Sequence, residues 1–224
     1  MCARSEARTR MSLQQAMKKC PAVAILRSSS AARYSDVSDV LVEAGIRAVE
    51  FTFTAPDVAD AIRAYAACKP ADVALGAGTV ITVEQARAAV EAGATYLISP
   101  SICVDVIEEG TRLGVPVLPG ALTPTEILTA WRAGAAMVKV FPASAVGGPS
   151  YIKAVRGPLS DIPLVPTGGV DVDNAGAYLA AGAVGVGVGS PLVADACEPG
   201  GDLDALSARA RALVASVTGA VARP

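Results

Sequence analysis

Lys139 lies in the middle of Met137-Val138-Lys139-Val140-Phe141-Pro142, a run that is otherwise apolar and is closed by a helix breaker. That pattern is expected of a short parallel-sheet strand covered on both faces. An ammonium group there is costly unless it is paired, hydrogen-bonded or uncharged, so its pKa should fall. A neutral amine is a nucleophile towards carbonyl carbon. The plainer alternative is that the side chain snorkels from the strand end into solvent. Glu50 is the second chemistry-bearing residue, in Ala48-Val49-Glu50-Phe51-Thr52-Phe53. Alternation along a strand puts Val49, Phe51 and Phe53 on one face and Ala48, Glu50 and Thr52 on the other. By the same rule Lys139 shares a face with Met137 and Phe141, while Val138 and Val140 point the other way. An amine and a proton-carrying carboxylate would thus both be aimed inward, from facing walls. A buried structural salt bridge is the alternative for the pair.

These strands belong to a repeat. Apolar runs begin near Val23, Val49, Val73, Tyr96, Val117, Met137, Leu164 and Val184, at intervals of roughly 20 to 27 residues, the span of one strand plus one helix. The intervening segments often end in Ala-Gly, as at Gly45, Gly93, Gly134 and Gly182, with Leu113-Gly114 a variant. Glycine there supplies a left-handed C-cap. Helix starts are marked by Ser35-Asp36, Ala55-Pro56-Asp57, Thr82 with Gln85, and Thr123-Pro124-Thr125-Glu126. Eight such units predict an α/β fold of the TIM (β/α)8 barrel type, as a single domain over 1–224. A doubly wound open sheet is the alternative. Residues 12–19 are expected to form an extra N-terminal helix closing the barrel bottom, 203–221 the last covering helix, and 1–11 a loose tail.

Composition narrows the chemistry. With 224 residues, 52% of them hydrophobic, the chain can bury a large core. A net charge of -2 invites neither a nucleic acid nor an anionic membrane, which leaves small molecules as partners. The sequence has no histidine, so Ser-His-Asp catalysis and imidazole metal sites are excluded. The five cysteines, at positions 2, 20, 68, 103 and 197, have no metal-ligand spacing and suit reduced thiols in a cytoplasmic enzyme. The polar, basic start has no apolar stretch of a secretory signal behind it. The longest uncharged run, 178–194, is broken by glycines and Pro191 and reads as strand and loop rather than a membrane span.

Glycine-rich strand ends complete the candidate site: Gly76-Ala77-Gly78-Thr79, Pro166-Thr167-Gly168-Gly169, and residues 185–190. Backbone N–H groups after the last two strands are the usual phosphate site of such a barrel.

Together with these, Val49-Glu50-Phe51-Thr52, Ser99-Pro100, Pro119-Gly120, Lys139-Val140-Phe141-Pro142-Ala143, Gly147-Gly148 and Tyr151-Ile152-Lys153-Ala154 occur in an order that resembles the 2-keto-3-deoxy-6-phosphogluconate (KDPG) aldolase and 4-hydroxy-2-oxoglutarate aldolase family. The resemblance covers nearly all of the chain after Pro21. It implies a class I aldolase, cofactor-free and homotrimeric, that cleaves a keto acid to pyruvate and an aldehyde. Lys139 would form the Schiff base and Glu50 would accept and donate protons. Thr79 would hold the pyruvate carboxylate, and Pro100 and Phe141 would wall the pocket. Gly168, Gly169, Gly189 and Ser190 would take the distal phosphate, helped by Arg27, with Thr167 in the same substrate-binding set. Many members carry an arginine four residues after the glutamate. Here Thr54 stands there, so that wall lacks a fixed positive charge, which the hydroxyls of Thr52, Thr54 and Thr79 could replace in part. An isomerase or epimerase with a purely electrostatic Lys139, and a non-catalytic barrel, are the competing functions. The other glutamates, Glu109 and Glu126 among them, read as solvated helix faces or capping partners.

Overall fold

The computed structural model describes residues 11–221. Nine short strands run through it: β1 (Ala22–Leu26), β2 (Ala48–Thr52), β3 (Ala74–Gly78), β4 (Leu97–Ile98), β5 (Val117–Leu118), β6 (Gly120–Ala121), β7 (Val138–Val140), β8 (Leu164–Pro166) and β9 (Val186–Val188). The helices are α1 (Leu13–Lys19), α2 (Tyr34–Glu43), α3 (Val58–Cys68), α4 (Val83–Ala92), α5 (Val104–Arg112), α6 (Pro124–Arg132), α7 (Pro149–Arg156), α8 (Ala175–Ala180), α9 (Ser190–Val193) and α10 (Leu203–Val221). Each predicted apolar run contains or adjoins a strand. Gly45, Gly93, Gly114, Gly134 and Gly182 all have positive φ, as helix C-termini that turn back towards a strand require.

All pairings are parallel, in a six-stranded sheet of order β5-β4-β3-β2-β1-β9 and a three-stranded sheet of order β6-β7-β8. The first strand pairs with the last, a neighbour relation that the usual doubly wound strand order does not contain. The sheets adjoin at two seams. At one, β5 and β6 are separated only by Pro119, which cannot donate to a ladder, so the single run expected near Val117 becomes two short strands. At the other, Thr167 at the end of β8 bridges Gly187 of β9. The architecture is therefore an α/β fold of two adjoining parallel sheets, not one uninterrupted eight-strand ladder.

Strand alternation divides the core in two. Val49, Phe51, Val138 and Val140 pack outward with helix residues such as Tyr34, Ile62 and Tyr65. Val23, Ala48, Ala74, Tyr96, Leu118, Met137 and Val165 form an inner cluster with Leu13, Ala16 and Met17 of α1. The amphipathic spacing of those three residues lays α1 across one end of the strands, and a capping box between Ser12 and Gln15 starts the helix. Of the expected tail, residues 1–10 lie outside the described residues, and Met11 is partly buried against the inner cluster. Glu109 departs from expectation. It is only 7% exposed, covered by Arg87 of α4 and Arg112 of its own helix, which hold its carboxyl down at about 2.

Leu13 is fully buried in the inner cluster. Leu13→Ala should cost about 2–5 kcal/mol of stability, read by chemical denaturation, as is usual for a core leucine. Because α1 lies at the end away from Lys139, the Michaelis constant of the folded fraction should not change.

Candidate active site

Strand β7 presents Lys139 to the interior because Met137, two residues earlier, already belongs to the inner cluster. The side chain is 5% exposed, and its Nζ stands 4.7 Å from the centroid of the Phe141 ring. Glu50 reaches the same interior from β2 in the other sheet and is 1% exposed. Its Oε2 has no hydrogen-bond partner. The two charges do not close into a salt bridge: the ion pairs among the described residues involve Asp60, Asp72 and Glu109 instead.

Burial is the main cause of both pKa shifts. It raises the Glu50 carboxyl above its ordinary value against the attraction of Lys139 and Arg27. It lowers the Lys139 ammonium, opposed by Glu50 and reinforced by the like charge of Arg27. Each group is moved towards its neutral form, one able to attack a carbonyl and the other able to hold and release a proton.

Strand β3 makes the room. A Cβ on Gly78 would stand 1.6 Å from Glu50 Oε1, so only glycine leaves space for the carboxyl. One layer down, a Cβ on Gly76 would stand 2.1 Å from the Tyr96 ring, whose hydroxyl donates to the Val49 carbonyl at 2.7 Å. The next residue up, Thr79, has φ 58°, a left-handed conformation unusual for threonine, and accepts a hydrogen bond from Arg27 at 3.4 Å.

A cavity of about 340 Å³ opens at this end of the strands. It brings together Arg27, Lys139, Phe141, Thr167, Gly168, Gly169, Gly189 and Ser190 of the predicted set. Glu50 is buried and not in its lining, Thr79 joins through Arg27, and Pro100 is not in the lining either. The Pro100 carbonyl instead packs on Gly120, where a Cβ would meet it at 2.1 Å. Ile25, Val170 and Pro191 line the cavity unforeseen. Gly187 lines it too, within the glycine-rich stretch 185–190 expected to complete the site, and a Cβ there would meet Thr167 Oγ1 at 2.4 Å.

The hydroxyls expected to replace the missing arginine are mostly engaged elsewhere. Thr52 donates to the Leu26 carbonyl at 2.9 Å and shares a 2.8 Å bond with Thr54, which leaves Thr79 as the one turned to the guanidinium of Arg27. Larger hollows of about 620 Å³ between α1 and α10, and about 750 Å³ between α8 and α10, hold no buried titratable side chain. Among the described residues, no group of three or more Cys, Asp or Glu is placed to hold a metal ion.

The electrostatics give opposed signs to two substitutions. The pH midpoint for acylation of Lys139 should fall below the ordinary 10.5. Glu50→Gln removes the charge that favours the ammonium and should lower the midpoint further. Arg27→Gln removes a like charge and should raise it. Competitive labelling across pH, read by peptide mass, measures all three.

The family model for KDPG and KHG aldolase matches residues 13–208. The 2-dehydro-3-deoxy-phosphogluconate aldolase of Pseudoalteromonas atlantica (strain T6c / ATCC BAA-1087) is 33% identical over 210 residues, 94% of this chain and 97% of its own. The 2-dehydro-3-deoxy-6-phosphogalactonate aldolase of Escherichia coli (strain K12) is 37% identical over 175 residues, 78% of this chain and 85% of its own. A solved KDPG aldolase from Legionella pneumophila, with pyruvate captured as a covalent carbinolamine intermediate, superposes with a TM-score of 0.82 at 27% identity, over 90% of this chain and 97% of its own. With the family model spanning all but the ends, and with relatives above 30% identity along most of its length, this chain belongs to the KDPG and KHG aldolase family.

Proposed function

We propose that this protein is a Schiff-base aldolase, a lyase that cleaves a 2-keto-4-hydroxy acid to pyruvate and an aldehyde, with Lys139 as nucleophile and Glu50 as proton carrier. The observation that carries the reading is the pair of buried, mutually unbridged amine and carboxyl side chains from the two adjoining sheets, the amine lining a cavity of substrate size. Family membership supports it. Its relatives' names support the substrate class, 2-dehydro-3-deoxy-6-phosphogluconate, its galactonate epimer or 4-hydroxy-2-oxoglutarate, and breaking the C3–C4 bond of these acids releases glyceraldehyde 3-phosphate or glyoxylate.

The neutral Lys139 amine adds to the C2 carbonyl, giving a carbinolamine, whose hydroxyl leaves as water with the proton that Glu50 holds; this leaves the iminium and a Glu50 carboxylate. A positive charge thereby returns beside the Phe141 ring, whose face favours a cation by about 0.5–2 kcal/mol. Glu50 takes the proton from the C4 hydroxyl, the C3–C4 bond breaks, and its electron pair moves into the iminium to form an enamine. The aldehyde leaves. Glu50 returns the proton to C3, and water hydrolyses the iminium to pyruvate and the free amine, the proton released going back to Glu50.

In the same proposal Thr79, held by Arg27, receives the substrate carboxylate. Arg27, Thr167, Gly168, Gly169, Gly189 and Ser190 receive the distal anionic end, and Phe141 and Pro100 shape the walls. The two seams between the sheets support closing the strands into an eight-stranded barrel within a single domain. The homotrimer and the cytoplasmic setting belong to the proposal as well. No helix among the described residues is long and apolar enough to cross a membrane.

Lys139→Ala should reduce pyruvate formation at least about a thousandfold, as deletion of a covalent nucleophile does. Lys153→Ala, on the helix α7, should leave it within about twofold, in the range of an ordinary surface change. A lactate dehydrogenase-coupled assay over phosphorylated and unphosphorylated keto acids reads both. A Lys139→Ala protein that keeps most of its activity on every substrate would end the proposal.

A further inference from the structure

Glu50 makes no hydrogen bond through Oε2, so packing has to aim its carboxyl. The register of β2 against β3 shows how. Glu50 is paired with Gly76, and Thr52 with Gly78. Gly76 and Gly78 share the inward face of β3, giving two bare notches, one level with the Glu50 backbone and one a layer higher.

The lower notch is filled. Tyr96, just ahead of β4, lies fully buried with its ring where a Cβ on Gly76 would stand. The phenol also crosses β3 to donate to the carbonyl of Val49, the residue before Glu50. A carboxyl that cannot take the lower notch is left the upper one, at Gly78, nearer the cavity and Lys139. Burial, with a smaller contribution from the Glu50 charge, holds the phenol proton well above its ordinary range, so Tyr96 is a fixed neutral donor at working pH. The reaction outlined above makes no use of this tyrosine.

We propose that Tyr96 is a positioning residue for Glu50: its ring occupies the notch at Gly76 and its hydroxyl pins the Val49 carbonyl, so that the carboxyl is confined to the notch at Gly78 and directed at the substrate held on Lys139. The proposal rests on Glu50 being the proton carrier. It assigns Tyr96 to the proton-transfer steps and not to imine formation, since no part of Tyr96 lines the cavity.

Tyr96→Leu, which empties the notch, and Tyr96→Phe, which keeps the ring and removes only the hydroxyl, separate the two contacts. Borohydride reduction with pyruvate counts imine-competent sites in each preparation, so rates are expressed per trapped site and misfolded protein drops out. Exchange of the pyruvate methyl protons with deuterium reads proton transfer at C3 alone. Per trapped site, Tyr96→Leu should lose about 10- to 100-fold in both kcat and methyl exchange, the range for a displaced catalytic group. KM should stay within about threefold. Tyr96→Phe should fall between this and the parent protein. Parent-like kcat and exchange per trapped site in Tyr96→Leu would overturn the proposal, as would a loss confined to KM. Failure of the parent protein to trap pyruvate would instead overturn the Schiff-base reading itself, which keeps the two apart.

Discussion

An ammonium group that is only 5% exposed gives up most of its hydration, and no closed ion pair in this chamber replaces it. Lys139 has no carboxylate closed onto it and has an aromatic face as its near neighbour. Burial there moves it towards the free amine, which is also its reactive state. The same dry surroundings push Glu50 towards holding a proton. A closed salt bridge would fix both groups in their charged forms and remove both activities. The open spacing of the pair is therefore a condition of the chemistry, not an imperfection in the packing.

That spacing depends on a strand with almost no side chains on its inner face. β3 contributes Ala74, Gly76 and Gly78 to the interior. Glycine in a strand gives up packing and chain entropy. Here that loss leaves two notches that a tyrosine and a glutamate fill from neighbouring strands. Beyond them the chain turns through the left-handed Thr79, which meets the guanidinium of Arg27. The floor, the carboxyl and the anion-facing rim thus follow one another along β3 and its end.

Much of this was legible from period and spacing. Strand alternation is strict, so the inward faces of Lys139 and Glu50 could be read before any contact was known, and Ala48 and Met137 in the inner cluster agree with them. Helix ends were legible because a left-handed glycine is a local requirement. What escaped depended on neighbours distant in sequence. Glu109 looked solvated because Arg87, which covers it, comes from the preceding helix. Thr52 and Thr54 looked available because their bonds to each other and to Leu26 leave no mark on composition. Tyr96 looked like the start of an ordinary strand, and its purpose shows only beside Gly76. Pro119 was visible as a residue, but not as the break that divides one strand between two sheets.

The account stands or falls on where a keto acid is captured. Reduction with borohydride in the presence of pyruvate, followed by proteolysis and peptide mass mapping, places the three-carbon adduct directly. The mass increment is predicted on the peptide that carries Lys139 and on no other lysine peptide, Lys153 included. An adduct on a different lysine, or none on a protein that releases pyruvate from its substrate, would contradict the buried amine as the reacting group.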